Sequence, residues 1–67
     1  MNNLGNIIRK RRKTLSITQR DVATLSGIGV NTLTKIERGE VNISFKAIMS
    51  VLDALGLDME IKLKNKK

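Results

Sequence analysis

The chain has 67 residues, a length that allows one small domain with a core of modest size. It contains neither cysteine nor histidine, which excludes disulfides and the usual zinc sites as sources of stability and leaves self-association. The net charge of +7 favours a polyanion or an anionic membrane as partner. The chain is not a disordered basic tail, because 40% of its residues are apolar. No apolar run is long enough to span a membrane.

A first helix is predicted over about residues 4–15. Its core-facing stripe has helical spacing and comprises Leu4, Ile7, Ile8, Arg11 and Leu15. The polar side ends in a run of five cations at residues 9–13, which suits a last helical turn because the helix dipole favours positive charge there. A solvated helix end and a phosphate contact stay open as alternatives for each of these cations.

A second helix is predicted to begin after Thr18, because Asp21 follows three residues later as in a capping box. The helix continues through Val22, Ala23 and Leu25. Gly27 is expected to end it as a left-handed cap. The next residue, Ile28, is expected to point inward from a short turn.

A third helix is predicted over residues 30–38, with Leu33 and Ile36 buried, and a fourth over residues 44–55, with Ser44 as its N-cap. A glycine follows each of them and is expected to end it. The residues expected to be buried from the fourth helix are Phe45, Ile48, Val51, Leu52 and Leu55.

The last segment changes to a period of two. Leu57, Met59, Ile61 and Leu63 alternate with the charged residues Asp58, Glu60, Lys62 and Lys64. Such alternation predicts a half-buried strand. Because a lone strand leaves its backbone groups unpaired, we expect it to pair antiparallel with the same strand of a second chain, with Ile61 opposite Ile61 and Glu60 opposite Lys62. A strand folded onto its own domain and a dimer through the fourth helix stay open.

The stretch at residues 18–39 is typical of a helix-turn-helix, in which two short helices are joined by a tight turn. The sequence resembles the lambda-repressor/Cro-like (XRE) helix-turn-helix family over about residues 4–56. The residues that carry the resemblance are Arg11, Arg12, Lys13, Thr18, Gln19, Ala23, Gly27, Leu33, Ile36, Glu37, Arg38 and Gly39. The stretch at residues 54–57, followed by the predicted strand, is similar to the HipB-like antitoxin branch. Gly29 departs from the Ser or Thr cap that many members carry.

The resemblance implies a mainly α, lambda-repressor-like DNA-binding domain of four to five helices at residues 1–56. A dimerisation strand at residues 57–64 and a disordered tail at residues 65–67 would follow it. The implied function is that of a cytoplasmic, nucleoid-associated repressor that binds a palindromic operator as a homodimer. An autoregulating antitoxin with a HipA-like kinase toxin as partner is one form of this function, and a stand-alone repressor is the other. No cofactor, metal or membrane is expected.

Outward-facing side chains of the third helix are the candidate base contacts, namely Asn31, Thr32, Thr34 and Lys35. Asparagine pairs with adenine, threonine with a base edge or a thymine methyl, and lysine with guanine acceptors. Val30 is a candidate for a thymine methyl, or else a partly buried turn residue. The remaining DNA-binding candidates, with a solvated surface as the alternative, are Gln19, Arg20, Arg38 and Lys46.

The resemblance also implies a structural ion pair between Arg12, near the end of the first helix, and Glu37, at the end of the third. Two separate surface charges are the alternative. Two other function classes are disfavoured by composition. Catalysis would have to rest on Lys, Asp or Ser alone, and RNA recognition would lack stacking aromatics because Phe45 is the one aromatic residue.

Overall fold

The computed structural model describes residues 3–60, and its fold is mainly α, as predicted. Within these residues the helices are α1 (Asn3–Thr14), α2 (Gln19–Ser26), α3 (Val30–Glu37) and α4 (Phe45–Ala54). Residues 57–60 are neither helix nor strand. The rest of the predicted dimerisation strand, including Ile61, Lys62 and Leu63, lies outside the described residues, as does the predicted tail.

The core lies where α2 packs on α4 and α1 packs on α3. Its buried residues, all apolar, are Ile8, Val22, Leu33, Ile36, Val51, Leu52 and Leu55. Burial of one such side chain contributes roughly 1.5–3 kcal/mol, so the set is the main source of stability for this part of the chain. Since Leu33 and Ile36 anchor one side of α3 in the core, the opposite side of that helix is turned to solvent.

Three side chains predicted to face the core lie at the surface instead, where Ile7 is 50%, Leu15 40% and Phe45 65% exposed. Ile7 precedes the fully buried Ile8, and neighbours on a helix point about 100° apart. Leu15 follows the end of α1, so helical spacing no longer applies to it. Phe45 is the first residue of α4, and side chains there lean toward the helix N-terminus and away from the core.

The helix ends have the local chemistry that their sequences predict. The Thr18 hydroxyl accepts from the Asp21 backbone N–H at 3.0 Å, and the Asp21 carboxylate accepts from the Thr18 backbone N–H at 3.0 Å. The hydrogen bond from the Thr18 backbone N–H to the carboxylate, with a further contribution from the Thr18 side chain, lowers the pKa of Asp21. Gly27 ends α2 with a left-handed φ of 76°, and the Ser44 hydroxyl accepts from the backbone N–H of Ala47 at 3.1 Å. Each cap therefore sets where a helix begins or ends.

Gly5 is buried where α1 crosses the end of α3. A Cβ atom at this position would lie 2.6 Å from the carbonyl oxygen of Ile36 and 2.7 Å from that of Glu37. Both oxygens belong to the backbone, so neither can rotate away as a side chain would. The missing side chain is therefore what allows α1 and α3 to approach so closely.

Replacing Gly5 with alanine should destabilise the protein by about 1–3 kcal/mol, because α1 must shift away from α3 to make room for the methyl group. The sign of this stability change is diagnostic, because alanine in place of glycine normally stabilises a helix interior by about 0.5–1 kcal/mol. Urea unfolding followed by circular dichroism measures the change. Asn6→Ala, at an exposed position of the same helix, is the control and should stay within about 0.5 kcal/mol of the parent. A Gly5→Ala chain as stable as the parent would contradict the close crossing.

Candidate nucleic-acid interface

The turn between α2 and α3 is fixed by hydrogen bonds at the end of α2 and by the packing of Ile28. The backbone N–H groups of Gly27 and Ile28 both donate to the carbonyl of Ala23, at 2.9 and 3.1 Å, and close the end of α2. Ile28 packs against the core, as predicted. Gly29 then begins α3 in an extended conformation, with no side-chain cap. Because the turn is both hydrogen-bonded and packed, α2 and α3 form one unit.

The outer side of α3 carries most of the predicted base contacts. Val30, Asn31 and Lys35 are exposed, whereas Thr32 and Thr34 are partly buried. The other candidates are spread over neighbouring elements: Gln19 and Arg20 begin α2, Arg38 follows α3, and Lys46 lies in the first turn of α4. Arg20, Arg38 and Lys46 are exposed, and Gln19 is partly buried. The exposed polar candidates are therefore spread over α2, α3, α4 and the residue after α3, and Asn31 and Lys35 lie together on the outer side of α3.

Arg12 and Glu37 form a two-point ion pair between the end of α1 and the end of α3. Nε of Arg12 donates to Oε2 of Glu37 at 2.7 Å, and Nη2 donates to Oε1 at 3.1 Å. The third nitrogen, Nη1, donates to the carbonyl of Ile17 at 3.1 Å. The two side chains are only 12% and 5% exposed. Such bidentate geometry on a nearly buried pair is strong and directional, so it ties three segments of the chain together.

The charges of this pair stabilise each other. Burial acts to raise the pKa of Glu37, but hydrogen bonds from Arg12 and Gln19, with the positive charges of Arg12 and Arg9, outweigh burial and lower the pKa. The hydrogen bond to Glu37 raises the pKa of Arg12, against the smaller opposing effect of burial. Both groups are therefore charged at neutral pH, and the Glu37 carboxylate only accepts hydrogen bonds.

Gln19 has a structural role that its sequence position does not reveal. Its Nε2 donates to Oε1 of Glu37 at 3.1 Å, and its Oε1 accepts from the Thr34 hydroxyl at 3.2 Å. The amide thus connects the first residue of α2 to two positions on α3. One N–H of Nε2 is used by Glu37, and the amide group has a second.

The basic run at the end of α1 divides into two groups. Arg12 is in the ion pair, and Nε of Arg11 donates to the carbonyl of Leu55 at 2.9 Å, at the end of α4. A cation there is favoured by the dipole of α4 and satisfies one of its last carbonyls. The other cations of the run, all exposed, are Arg9, Lys10 and Lys13. Two of the five cations therefore hold the fold together.

A family model for the helix-turn-helix matches residues 8–62. The chain belongs to the helix-turn-helix family. The match includes α2, α3 and the turn between them, so the family assignment rests on the same elements as the geometry above. This helix-turn-helix protein is a DNA-binding regulator.

Two solved structures have the same fold as this helix-turn-helix protein. One is a chain named "MDT Protein", and the other is a chain of a structure named "Structure of HipA-HipB-O2-O3 complex". Each has a TM-score of 0.87 and 23% sequence identity, and each alignment covers 96% of this chain and 90% of the other. At this identity the similarity establishes the fold. No curated protein matches the chain.

Two other kinds of site are absent from residues 3–60. No helix in this range is both long and apolar enough to cross a bilayer. No group of three acidic side chains in the same range is placed to hold a metal ion.

Replacing Glu37 with glutamine should lower the free energy of unfolding by about 1–3 kcal/mol, because Arg12 keeps its charge in a nearly buried position without a counter-ion. Urea unfolding of both chains measures the loss. Glu40→Gln is the matched control, since Glu40 faces Arg38 at 3.9 Å in an exposed pair and should contribute less than about 0.5 kcal/mol. Equal losses in the two variants would contradict the structural role of Glu37.

Acid should weaken the fold through the same carboxylate. The pKa of Glu37 is lower in the folded chain than in the unfolded chain, so its stabilising effect is fully present above the unfolded value of about 4.3 and is lost as pH falls through the folded value. The lowered pKa of Asp21 also makes the fold less stable in acid, equally in the parent and in Glu37→Gln, so it does not affect the comparison of the two chains. The stability difference between the parent and Glu37→Gln should therefore shrink from about pH 7 to about pH 3. If the stability difference between the two chains stays constant over this pH range, the Glu37 carboxylate is not the group through which acid weakens the fold.

Proposed function

We propose that this protein binds a palindromic DNA operator as a homodimer and represses transcription there. The observation that carries the proposal is the outer side of α3, where Asn31 and Lys35 are exposed on a helix anchored by Leu33 and Ile36. In a helix-turn-helix the second helix lies in the major groove. There asparagine suits the edge of adenine, and lysine suits the acceptors of guanine.

Phosphate contacts would supply most of the affinity. The net charge of +7 favours a polyanion, and the exposed cations Arg20, Arg38 and Lys46 lie on the elements before, after and beside the reading helix. Gln19 supports the same interface, because Glu37 orients its amide nitrogen at the start of α2. A backbone oxygen of DNA accepts hydrogen bonds, so an N–H of Gln19 suits it.

The homodimer is supported by an apolar groove between the start of α1 and the chain after α4. Its apolar lining consists of Leu4, Ile7, Leu52, Leu57 and Met59. Ile7 is 50% and Met59 40% exposed, so a second copy seated there would remove apolar surface from water. The predicted dimerisation residues begin at this groove with Leu57, Met59 and Glu60. A two-fold dimer would hold two α3 helices about 34 Å apart, the spacing of successive major grooves on one side of DNA.

Substitutions on and beside α3 test the DNA-binding proposal. Lys35→Ala should cost about 1–3 kcal/mol at one operator position and relax the base preference there, because it removes a base contact. Arg38→Ala should weaken binding to all sequences alike, because it removes a phosphate contact. The slope of log affinity against log salt concentration should fall by about one. Fluorescence anisotropy on duplexes with single base changes, at several salt concentrations, separates the two effects.

The control is Lys10→Ala, which removes the same charge from an exposed position on α1. If Lys35→Ala and Lys10→Ala lose the same affinity on every duplex, Lys35 acts through charge alone and does not read a base.

A second candidate function is that of an autoregulating antitoxin, with a HipA-like kinase toxin as partner. The observation that favours it is the TM-score of 0.87 to a chain from the structure of a HipA–HipB complex. This function uses the same DNA interface and adds a protein partner, so the two candidates differ only in that partner.

The product of the neighbouring gene provides the test. As an antitoxin, this chain should co-purify with that product and restore growth to cells that the product inhibits. An Asn31→Ala chain is the matched control, because loss of a base contact should leave neutralisation intact. If the neighbouring gene product neither binds this chain nor is neutralised by it, the antitoxin function is wrong and the stand-alone repressor is the remaining candidate.

A further inference from the structure

The Thr34 hydroxyl has its proton directed into the protein. Its Oγ1 lies 2.9 Å from the carbonyl oxygen of Val30 and 3.2 Å from Oε1 of Gln19. A hydroxyl has one proton and two lone pairs, whereas both of these neighbours only accept hydrogen bonds. Whichever neighbour receives the proton, the lone pairs of Oγ1 stay available, since no donor within residues 3–60 is bonded to them.

The orientation of the Gln19 amide follows from the chemistry of its other neighbour. Glu37 is ionised and accepts two hydrogen bonds from Arg12, so the group that faces it at 3.1 Å must be the amide nitrogen. The amide oxygen is then turned to Thr34. The reverse orientation would set two acceptors against each other at Glu37 and direct an N–H to Oγ1 of Thr34, where it would occupy a lone pair.

We propose that Thr34 is a specificity-determining residue that presents only an acceptor to DNA and therefore reads the amino group of adenine (N6) or cytosine (N4). These are the two hydrogen-bond donors on base edges in the major groove. Guanine N7 and O6, thymine O4 and the phosphates are acceptors, which would meet a lone pair of Thr34 unfavourably. The inference rests on the proposed function, because it requires α3 to lie in the major groove.

Glu37 is a positioning residue in this arrangement. It does not contact a base; it orients Gln19, and Gln19 leaves both lone pairs of Thr34 for the DNA. Of the two contacts that threonine allows in principle, a base edge and a thymine methyl, the geometry selects the hydroxyl contact and gives it a direction.

The experiment begins with duplexes that the full chain selects from a random-sequence pool. Each adenine or cytosine in the selected site is then replaced by purine or 2-pyrimidinone, which lack the amino group. At one position in each half-site, loss of the amino group should weaken binding of the parent by about threefold to tenfold, the effect of one hydrogen bond.

Two variants isolate the hydroxyl. Thr34→Val keeps the shape of the side chain without the hydroxyl, and it should be insensitive to amino-group removal at that position. Thr34→Ser keeps the hydroxyl without the methyl, and it should keep the sensitivity. Any effect of the analogue on the duplex itself is the same for all three chains, so the comparison cancels it. The salt dependence of Thr34→Val should equal that of the parent, because no phosphate contact is lost.

The outcomes separate the inference from the proposed function. If the parent and Thr34→Val lose equal affinity at every altered position, or if Thr34→Val lowers the salt dependence, the inference is wrong and the DNA-binding function stands. If the parent selects no duplex from the pool, the proposed function is wrong and the inference falls with it. Thermal unfolding of both variants establishes that each is folded during the measurement.

Discussion

The carboxylate of Glu37 is the point on which the arrangement of the first three helices depends. It accepts from Arg12 at the end of α1 and from Gln19 at the start of α2, while Arg12 also binds the carbonyl of Ile17 between them. Taking opposite charges out of water is costly unless they meet in good geometry and their remaining groups are satisfied. All these contacts form together only when α1, α2 and α3 have one mutual orientation, so the network favours that orientation over other packings.

Gly5 and Arg12 lie on the same face of α1, and both contribute to its contact with the end of α3. Gly5 and Arg12 are seven residues apart, which is about two helical turns. Gly5 lets α1 approach the carbonyls of Ile36 and Glu37, and Arg12 then reaches the Glu37 carboxylate. The end of α3 is thus held by steric fit from one position and by charge from the other. This firm attachment lets a helix of only eight residues present its outer side in a defined way.

Much of the fold is predictable because its determinants are local. The caps at Thr18, Gly27 and Ser44 act on backbone groups within four residues, and the spacing of Leu33 and Ile36 marks the buried side of α3. The helices accordingly begin and end within about two residues of the positions that these patterns predict. Periodicity fails at helix ends, where a side chain no longer projects to the side that the repeat assigns to it.

Local sequence patterns are enough to predict the set of helices, their caps and the residue types available on α3. The packing of the helices against one another sets how those residues are used. Gln19 became a bridge between α2 and α3, and Arg11 binds the end of α4, because partners 15–44 residues away arrive there through packing. The close approach at Gly5 is likewise a property of two helices, and no pattern within either one encodes it. Arg12 and Glu37 could be paired only through family resemblance, since a local spacing rule does not reach across 25 residues.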